Sequence, residues 1–504
     1  MSAITLVVSL QNISPFYTAV EQEVVRDELA AGREVHVLHC GEALPTCNFN
    51  PTHSLVGCAM CQYRADHFTT RSGVPPARQH RLDRGLIPPT FPEAFPTTTD
   101  ELMRLSYRGV NVGRGAASSV ISHLREYRLD VTGAHRPLIE LALRTAVGAL
   151  LNYERLLDRL QPTRVFLFNG RHAETFPLVD LCQQRGLWFA CTERGASNER
   201  YELFVNSLPH SIAFRRRTMA ELWAAADPEA RVRAASDWYE QKRRGTATDD
   251  RSYIGRQRAG ELPAGWRTDR HNIVVFNSSE DEIKTISEWQ TDLFTNQNEV
   301  ILRLAAELAG RTDVHLYVRM HPNLGVVDNE QTRQLYALAQ DNVTVIAPAE
   351  RVDSYHLCAA ADVILTFAST IGVEATYWGT ASVLYGRAFY EGEGAAYEPQ
   401  SFPELLDLLT QSELPAKPRA NALRYGYYVT HYGRPFAYAR PLSQKDVAID
   451  GEQVPRFAPG VLGRLLNYLP RFGRWWRAHR AVTGRRLRVG ELGKLFAHLK
   501  ARVE

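Results

Sequence analysis

Short apolar runs of Val, Ile and Leu that alternate with helical patterns and stop at polar turns constrain this chain more than any other feature. Between Val314 and Gly386 three such runs occur: VHLYV leading into RMHPN, VTVI, and VILTF leading into AST. Strands of a parallel sheet, buried on both faces, read this way. The amino terminus repeats the pattern, with Ile4–Leu10 as a strand, a helix around Ala19–Ala31 stopped by Gly32, and a second strand over Glu34–His39. The expected fold class is α/β, with two Rossmann-like domains facing a cleft and a basic helical tail at the carboxyl terminus. In such sheets ligands lie just past the carboxyl ends of the strands, which is where His321-Pro322 and Ser369-Thr370 fall.

At 504 residues, 44% apolar and 23% charged, the chain is long enough for two core-forming domains. Its net charge of +3 is unevenly spread: residues 456–504 hold twelve Lys/Arg against two acidic residues, leaving the remainder at −7. The first residues, MSAITLVVSLQNISPFY, lack a basic leader, and no apolar run reaches the roughly 18 residues a membrane span requires. A cytoplasmic protein is expected. Seven cysteines fit a reducing compartment better than a disulfide framework.

The first loop, Gln11–Pro15, carries no glycine fingerprint, so a tightly held dinucleotide is not expected. Cys40, Cys47, Cys58 and Cys61 follow, the last two as Cys-x-x-Cys. Four thiolates would complete a tetrahedral structural zinc site pinning a loop-like insertion; buried reduced thiols or an iron–sulfur site are the alternatives. No helix is evident at the Cys-x-x-Cys, which argues against a redox dithiol. Thr69–Thr99, rich in Pro, Arg and Thr, reads as a long irregular connection. Pro137–Leu160 is a strongly amphipathic helix. Strands at Arg164–Phe168 and Trp188–Cys191 then break at Asn169-Gly170-Arg171-His172 and Thr192-Glu193-Arg194-Gly195. These breaks present Glu174 and Glu193 as candidate general bases, helix capping and surface ion pairs being the other reading.

Residues 218–245 read as helical and 246–270 as a polar connection, placing a boundary between domains. A new unit opens at Asn272–Phe276 and runs into Asn277-Ser278-Ser279-Glu280-Asp281-Glu282, whose small residues suit a turn with exposed N–H groups and whose carboxylates suit a helix start. After the strand Val314–Arg319, Pro322 prevents continuation and holds the His321 ring at the strand mouth. There an imidazole can donate to a phosphate oxygen and, if protonated, offset leaving-group charge, with Arg319 reinforcing it. Ser369 and Thr370 open the helix that contains Glu374, as simple N-caps or as part of an anion site.

The run RMHPN, the run VIAPAERVDSYHLCAAADVILTFASTIGVEATYWGTASVLYG and the preceding NSSEDE resemble the carboxyl-terminal domain of bacterial capsule and surface-polysaccharide glycosyltransferases of the GT-B type. These include capsular Kdo transferases, polysialyltransferases and CDP-glycerol glycerophosphotransferases. The resemblance covers about residues 271–395. It implies that His321, Ser369 and Thr370 grip the donor phosphate, that Ser278, Ser279 and Glu282 lie near the nucleotide, and that Glu374 lies near the donor's ribose or sugar. The acidic base of the family lies in the amino-terminal domain, where Glu174 and Glu193 are candidates by position.

The implied organisation is an acceptor domain at 1–217 with a Cys-containing insertion at about 40–100, a helical linker at 218–270, a donor domain at 271–415, and a crossover with a basic tail at 416–504. The implied reaction moves a sugar, CMP-linked by preference, from a nucleotide-sugar co-substrate to a surface polysaccharide or lipid-linked glycan, with no cofactor for catalysis and no metal in the chemistry. A nucleotide-sugar 2-epimerase and a non-catalytic assembly or export factor are the alternatives. Arg, Trp475, Trp476 and Phe472 within 461–504 suit contact with anionic lipid at the inner membrane, or a basic helix packed back on the protein. Nucleic acid is not an expected partner, because no recognised binding module accompanies the charge.

Overall fold

A computed structural model describes residues 3–52, 55–195, 199–246, 254–325, 327–338, 340–443 and 446–454. The basic segment 461–504 and the membrane contact expected of it lie outside the described residues. No helix among the described residues is long and apolar enough to cross a membrane.

The chain is mixed α/β, built on two Rossmann-like sheets. The first has seven strands, in the order Arg434–Pro435, Arg200–Val205, Trp188–Arg194, Arg164–Phe168, Ile4–Ser9, Glu34–His39, Gln79–Arg81. Its last five are mutually parallel, and the first two join antiparallel. The second sheet has five strands, all parallel: Val343–Ile346, Val314–Arg319, His271–Phe276, Val363–Thr366, Ala381–Leu384. Taken in chain order within each sheet, both parallel sets run 3-2-1-4-5. Each therefore has a switch point between its first and fourth strands, where a crevice opens at the carboxyl edge.

Burial explains the strands' composition. Val7, Val35, Val37 and Phe166 pack with Val24 and Val25 of the helix Pro15–Ala30 on one face of the first sheet. Leu6, Val8, Val165 and Leu167 meet the apolar side of the helix Arg136–Leu160 on the other. In the second sheet, Ile273, Val275, Leu316 and Val318 pack on Val300, Ile301 and Leu304, while Val274, Tyr317 and Ile364 pack on Leu357 and Cys358. Side chains alternate between two covered faces, so most strand positions are apolar, and Thr5, a polar exception, donates to Glu28.

Several sequence expectations change. The segment 40–100 contains the helix Leu55–Arg71 and the edge strand Gln79–Arg81, so it completes the first sheet rather than forming a loop-like insertion. The strand begun at Trp188 continues through Glu193 to Arg194, because Arg200–Val205 returns antiparallel beside it and supplies ladder partners. The helices Ile212–Ala225 and Pro228–Arg244 are not a linker. Met219, Ala235, Trp238 and Tyr239 share a core with Val373, Tyr377, Tyr425 and Tyr428. After the helix Ala420–His431 the chain returns to the first half, where Ala439, Val447, Ile449 and Val454 pack on Ala19 and Phe68. Buried Glu23 anchors that return by accepting the backbone N–H groups of Ala437, Tyr438 and Ala439 at 3.0, 2.5 and 2.6 Å.

Candidate functional site

The carboxyl edges of the two sheets meet. Arg171, just past the fourth strand of the first sheet, donates to the carbonyl of Glu282, just past the first strand of the second, at 3.3 Å, and to Ser122 Oγ at 3.2 Å. Arg125 follows the helix Gly113–Leu124 in a left-handed conformation (φ 55°), and its guanidinium lies 3.6 Å from Asp281 and 3.9 Å from Glu282. Arg128 pairs with Glu330 at 2.7 Å, and Asn329 donates to the carbonyl of Arg125. Burial lowers the Arg171 pKa, and the carboxylates of Glu282, Glu193 and Asp281 oppose that shift. These four charged groups thus share one interdomain environment.

On the second sheet, Asn277 directly follows the first strand and accepts the His321 backbone N–H at 2.6 Å, tying the first and second strand ends together. Its Nδ2 and the Ser278 hydroxyl are buried without a hydrogen-bond partner among the described residues. Gln297 and Gln331 bind the Ser278 backbone instead, and Ser279 donates to Asp281. Half-exposed Glu282 accepts from Asn323 at 3.0 Å.

His321 Nδ1 accepts the Asn323 N–H at 3.2 Å, which leaves the ring proton on Nε2. Burial holds this imidazole down to about 4, with Asp281 opposing and Arg125 and Arg319 adding to the shift. Near neutral pH His321 is thus a neutral single donor, because burial penalises its charged form; of the two roles the sequence allowed, this protonation state permits hydrogen-bond donation and not the role conditional on protonation. The Arg319 expectation also changes. Its two terminal nitrogens donate to the carbonyls of Ala347 and Glu350, 2.7 and 3.1 Å away, so the guanidinium braces the neighbouring loop and does not back up His321.

Ser369 and Thr370 lie at the fourth strand end, across the switch point from Asn277–Glu282. Ser369 Oγ accepts the Ile371 N–H at 3.3 Å in capping fashion, and Thr370 donates to Glu374 at 2.9 Å. Glu374 is buried and also receives Tyr355 and, at 3.6 Å, Lys242. Both its carboxylate oxygens are thereby engaged inside the protein, which joins the helix Ile371–Tyr377 to its neighbours.

On the first sheet the two candidate bases separate. Glu193 accepts from Tyr17 at 3.3 Å and from Asn169 at 2.6 Å and falls within the electrostatic reach of Arg171, beside the second half. Glu174 is fully buried: its Oε1 accepts from Gln11 across the switch point at 2.9 Å and from the Asn48 N–H at 3.1 Å. Its Oε2 has no partner among the described residues, and burial raises its pKa.

Cys40, Cys47, Cys58 and Cys61 do line one small cavity, of about 30 Å³, together with Leu10, Leu44 and Phe49. Cys58 and Cys61 sit on the helix Leu55–Arg71, three residues apart and so on one face, which the sequence reading missed. Burial raises the pKa of Cys40, Cys47 and Cys61, keeping them as thiols. No group of three or more His, Cys, Asp or Glu among the described residues is disposed to hold a metal ion. The surroundings are apolar, and metal ligation needs the thiolates that such surroundings disfavour.

Sequence reasoning gave no role to the side chains of Gln11, Arg125 and Tyr17, and it read Asn277 only as part of a turn. Asn277 was discoverable as the first residue after a strand. The others gain their places only through contacts between distant segments.

No protein-family model matches the chain, and no curated protein matches it in sequence. Among solved structures it is similar to the β-Kdo 2,4 transferase KpsC of Thermosulfurimonas dismutans, with 14% identity, 53% of this chain and 80% of that chain covered, and a TM-score of 0.37. It is also similar to the UDP-GlcNAc 2-epimerase of Methanocaldococcus jannaschii (11% identity, 85% and 99% covered, TM-score 0.29) and to the spinosyn rhamnosyltransferase SpnG (13% identity, 86% and 98% covered, TM-score 0.26). At these values the likeness bears on neither activity nor substrate, and the fold class rests on the two 3-2-1-4-5 sheets.

Proposed function

We propose that this protein is a glycosyltransferase that holds a nucleotide-sugar donor, CMP-linked by preference, at the switch point of the second sheet and a glycan acceptor at that of the first. The observation that carries this reading is the contact of Arg171 and Arg125 with Asp281 and Glu282, which sets the two crevices against each other. A donor bound along Asn277–Glu282, His321 and Ser369-Thr370 would expose its anomeric carbon to the first sheet. Asn277 Nδ2 and the Ser278 hydroxyl, which have no hydrogen-bond partner among the described residues, are polar atoms that a ligand can satisfy.

In the reaction the bond between the anomeric carbon and the phosphate oxygen breaks as the acceptor oxygen bonds to that carbon. The His321 Nε2–H and the Ser369 hydroxyl would stabilise the departing phosphate without a metal ion, while Thr370, donating to Glu374, would hold the start of the helix in place, and Glu193 would take the acceptor's proton. Glu193 is preferred over Glu174 because it neighbours Arg171 and the second half, whereas Glu174 lies beneath the Asn48 loop. The basic segment 461–504 fits a location at the inner membrane face, where lipid-linked acceptors are made.

A thermal-shift screen of CMP, CDP, UDP and GDP compounds on wild type and His321→Ala tests the donor site. One nucleotide family should stabilise the wild type selectively and lose that effect in the variant. Equal shifts in both proteins would sink the assignment. Labelled donor should give a labelled glycan only when acceptor is present, and isomerised donor without acceptor would overturn transfer.

A further inference from the structure

An aromatic cluster stands at the switch point of the first sheet. Tyr17 opens the helix Pro15–Ala30, Phe49 lies in the loop after the second strand, and Phe168 ends the fourth. Their ring centroids are 3.8 Å (Tyr17–Phe168), 5.4 Å (Tyr17–Phe49) and 5.5 Å (Phe49–Phe168) apart. Phe168 is buried, while Tyr17 and Phe49 are only half-buried.

Polar groups rim these rings. The Tyr17 hydroxyl and the Asn169 amide both donate to Glu193, and Asn169 Oδ1 is buried without a hydrogen-bond partner among the described residues. Asn169 adopts φ 54°, and Gly170 after it adopts φ 83°. A left-handed non-glycine residue at a strand end is the kind of local strain that gathers at functional sites. Gly170 is also closely surrounded, since a Cβ there would meet Leu208, Cys191 and Val179 at 2.7–2.8 Å. The turn that carries Asn169 and Arg171 is thereby fixed.

An apolar ring face bordered by a carboxylate, an amide and a guanidinium matches the two-sided chemistry of a pyranose, whose C–H face is apolar and whose edge carries hydroxyls. We infer that Tyr17 and Phe49, backed by the buried Phe168 ring, form a stacking floor for the terminal pyranose of the acceptor, with Glu193 and Asn169 receiving its hydroxyls. This inference rests on the transferase reading for the word acceptor, but not for pyranose binding itself.

Saturation-transfer NMR on the full chain, with methyl pyranosides and disaccharides as probes, tests it in the same samples used for nucleotide binding. Wild type should saturate the C–H protons of a probe's ring face, and Phe49→Ala should bind that probe roughly three- to tenfold more weakly with nucleotide binding unchanged. Phe49→Leu keeps the apolar bulk without the π face and should show the same loss, which separates stacking from a folding defect. Unchanged probe binding in both variants, or no probe bound by a wild type that binds nucleotide, would overturn the floor. Pyranoside binding that depends on Phe49 in a protein that binds no nucleotide would uphold the floor and remove the donor assignment.

Discussion

Glu280 offers a direct test of how the second sheet's edge is built. It is 8% exposed; its Oε1 accepts the Gln297 N–H at 2.7 Å, and its Oε2 has no hydrogen-bond partner among the described residues. Burial pushes its pKa from 4.5 up to about 7, against the lowering effects of the Gln297 N–H, Lys284 and Arg128. Below pH 4.5 the carboxyl is protonated in both the folded and the unfolded chain, so it adds no pH dependence. Between 4.5 and about 7 only the folded chain keeps the proton, and stability falls by about 1.4 kcal/mol for each pH unit gained. Above pH 7 the loss levels off at about 3 kcal/mol.

Glu280→Gln keeps an acceptor for Gln297 and cannot ionise. It should therefore be more stable than wild type by about 3 kcal/mol at pH 8, with the two chains converging toward pH 4.5. Hydrogen exchange of the amides in His271–Phe276 reads the second sheet specifically, since a long chain with two sheets need not unfold in one step. Glu21, raised to about 8 by burial, adds a slope of the same sign to both chains, so the difference between them isolates Glu280. A difference that stays flat from pH 5 to pH 8 would refute the reasoning.

Three other outcomes are expected. Glu23→Ala leaves three N–H groups, one buried and two part-buried, without their acceptor, should cost about 2 kcal/mol, and should speed limited proteolysis within 434–454; unchanged cleavage there would show that the crossover is held otherwise. Because His321 is neutral near pH 7, the affinity difference for a CMP-sugar between wild type and His321→Gln should stay constant from pH 5.5 to 7.5, and a rise on acidification through 6.5 would mean that a charged imidazole binds the phosphate. Glu193→Gln should lower kcat by about 100-fold or more with nucleotide affinity intact. Glu174→Gln should leave kcat within a few-fold of wild type, and the reverse pattern would move the base to Glu174.

The legibility of this protein followed the range of the interactions involved. Strand runs such as Ile4–Ser9 and Val314–Arg319 were readable because burial on both faces favours apolar side chains at most positions, a purely local signature. The same logic located Asn169, His321 and Ser369 at strand ends, since Pro322 and the polar turns are also local. The strand Arg200–Val205 was missed because its pairing depends on the neighbouring edge; the helices around Trp238 were read as helices, but not their place in a core, because their partners lie near residues 373–428.

Side-chain duties were least legible. Nothing near Arg319 in the sequence shows that Ala347 and Glu350 would take its guanidinium, or that Asp281 would face Arg125. Likewise, nothing in the sequence shows that four cysteines at ligand-like spacing line one apolar cavity, where burial raises the pKa of Cys40, Cys47 and Cys61. The sequence by itself determined two α/β units and where their strands end, because hydrophobic periodicity acts over a few residues. Tertiary structure alone decided which strand ends meet, which charges face one another and which protons are held, because desolvation and Coulomb energies depend on neighbours far away along the chain.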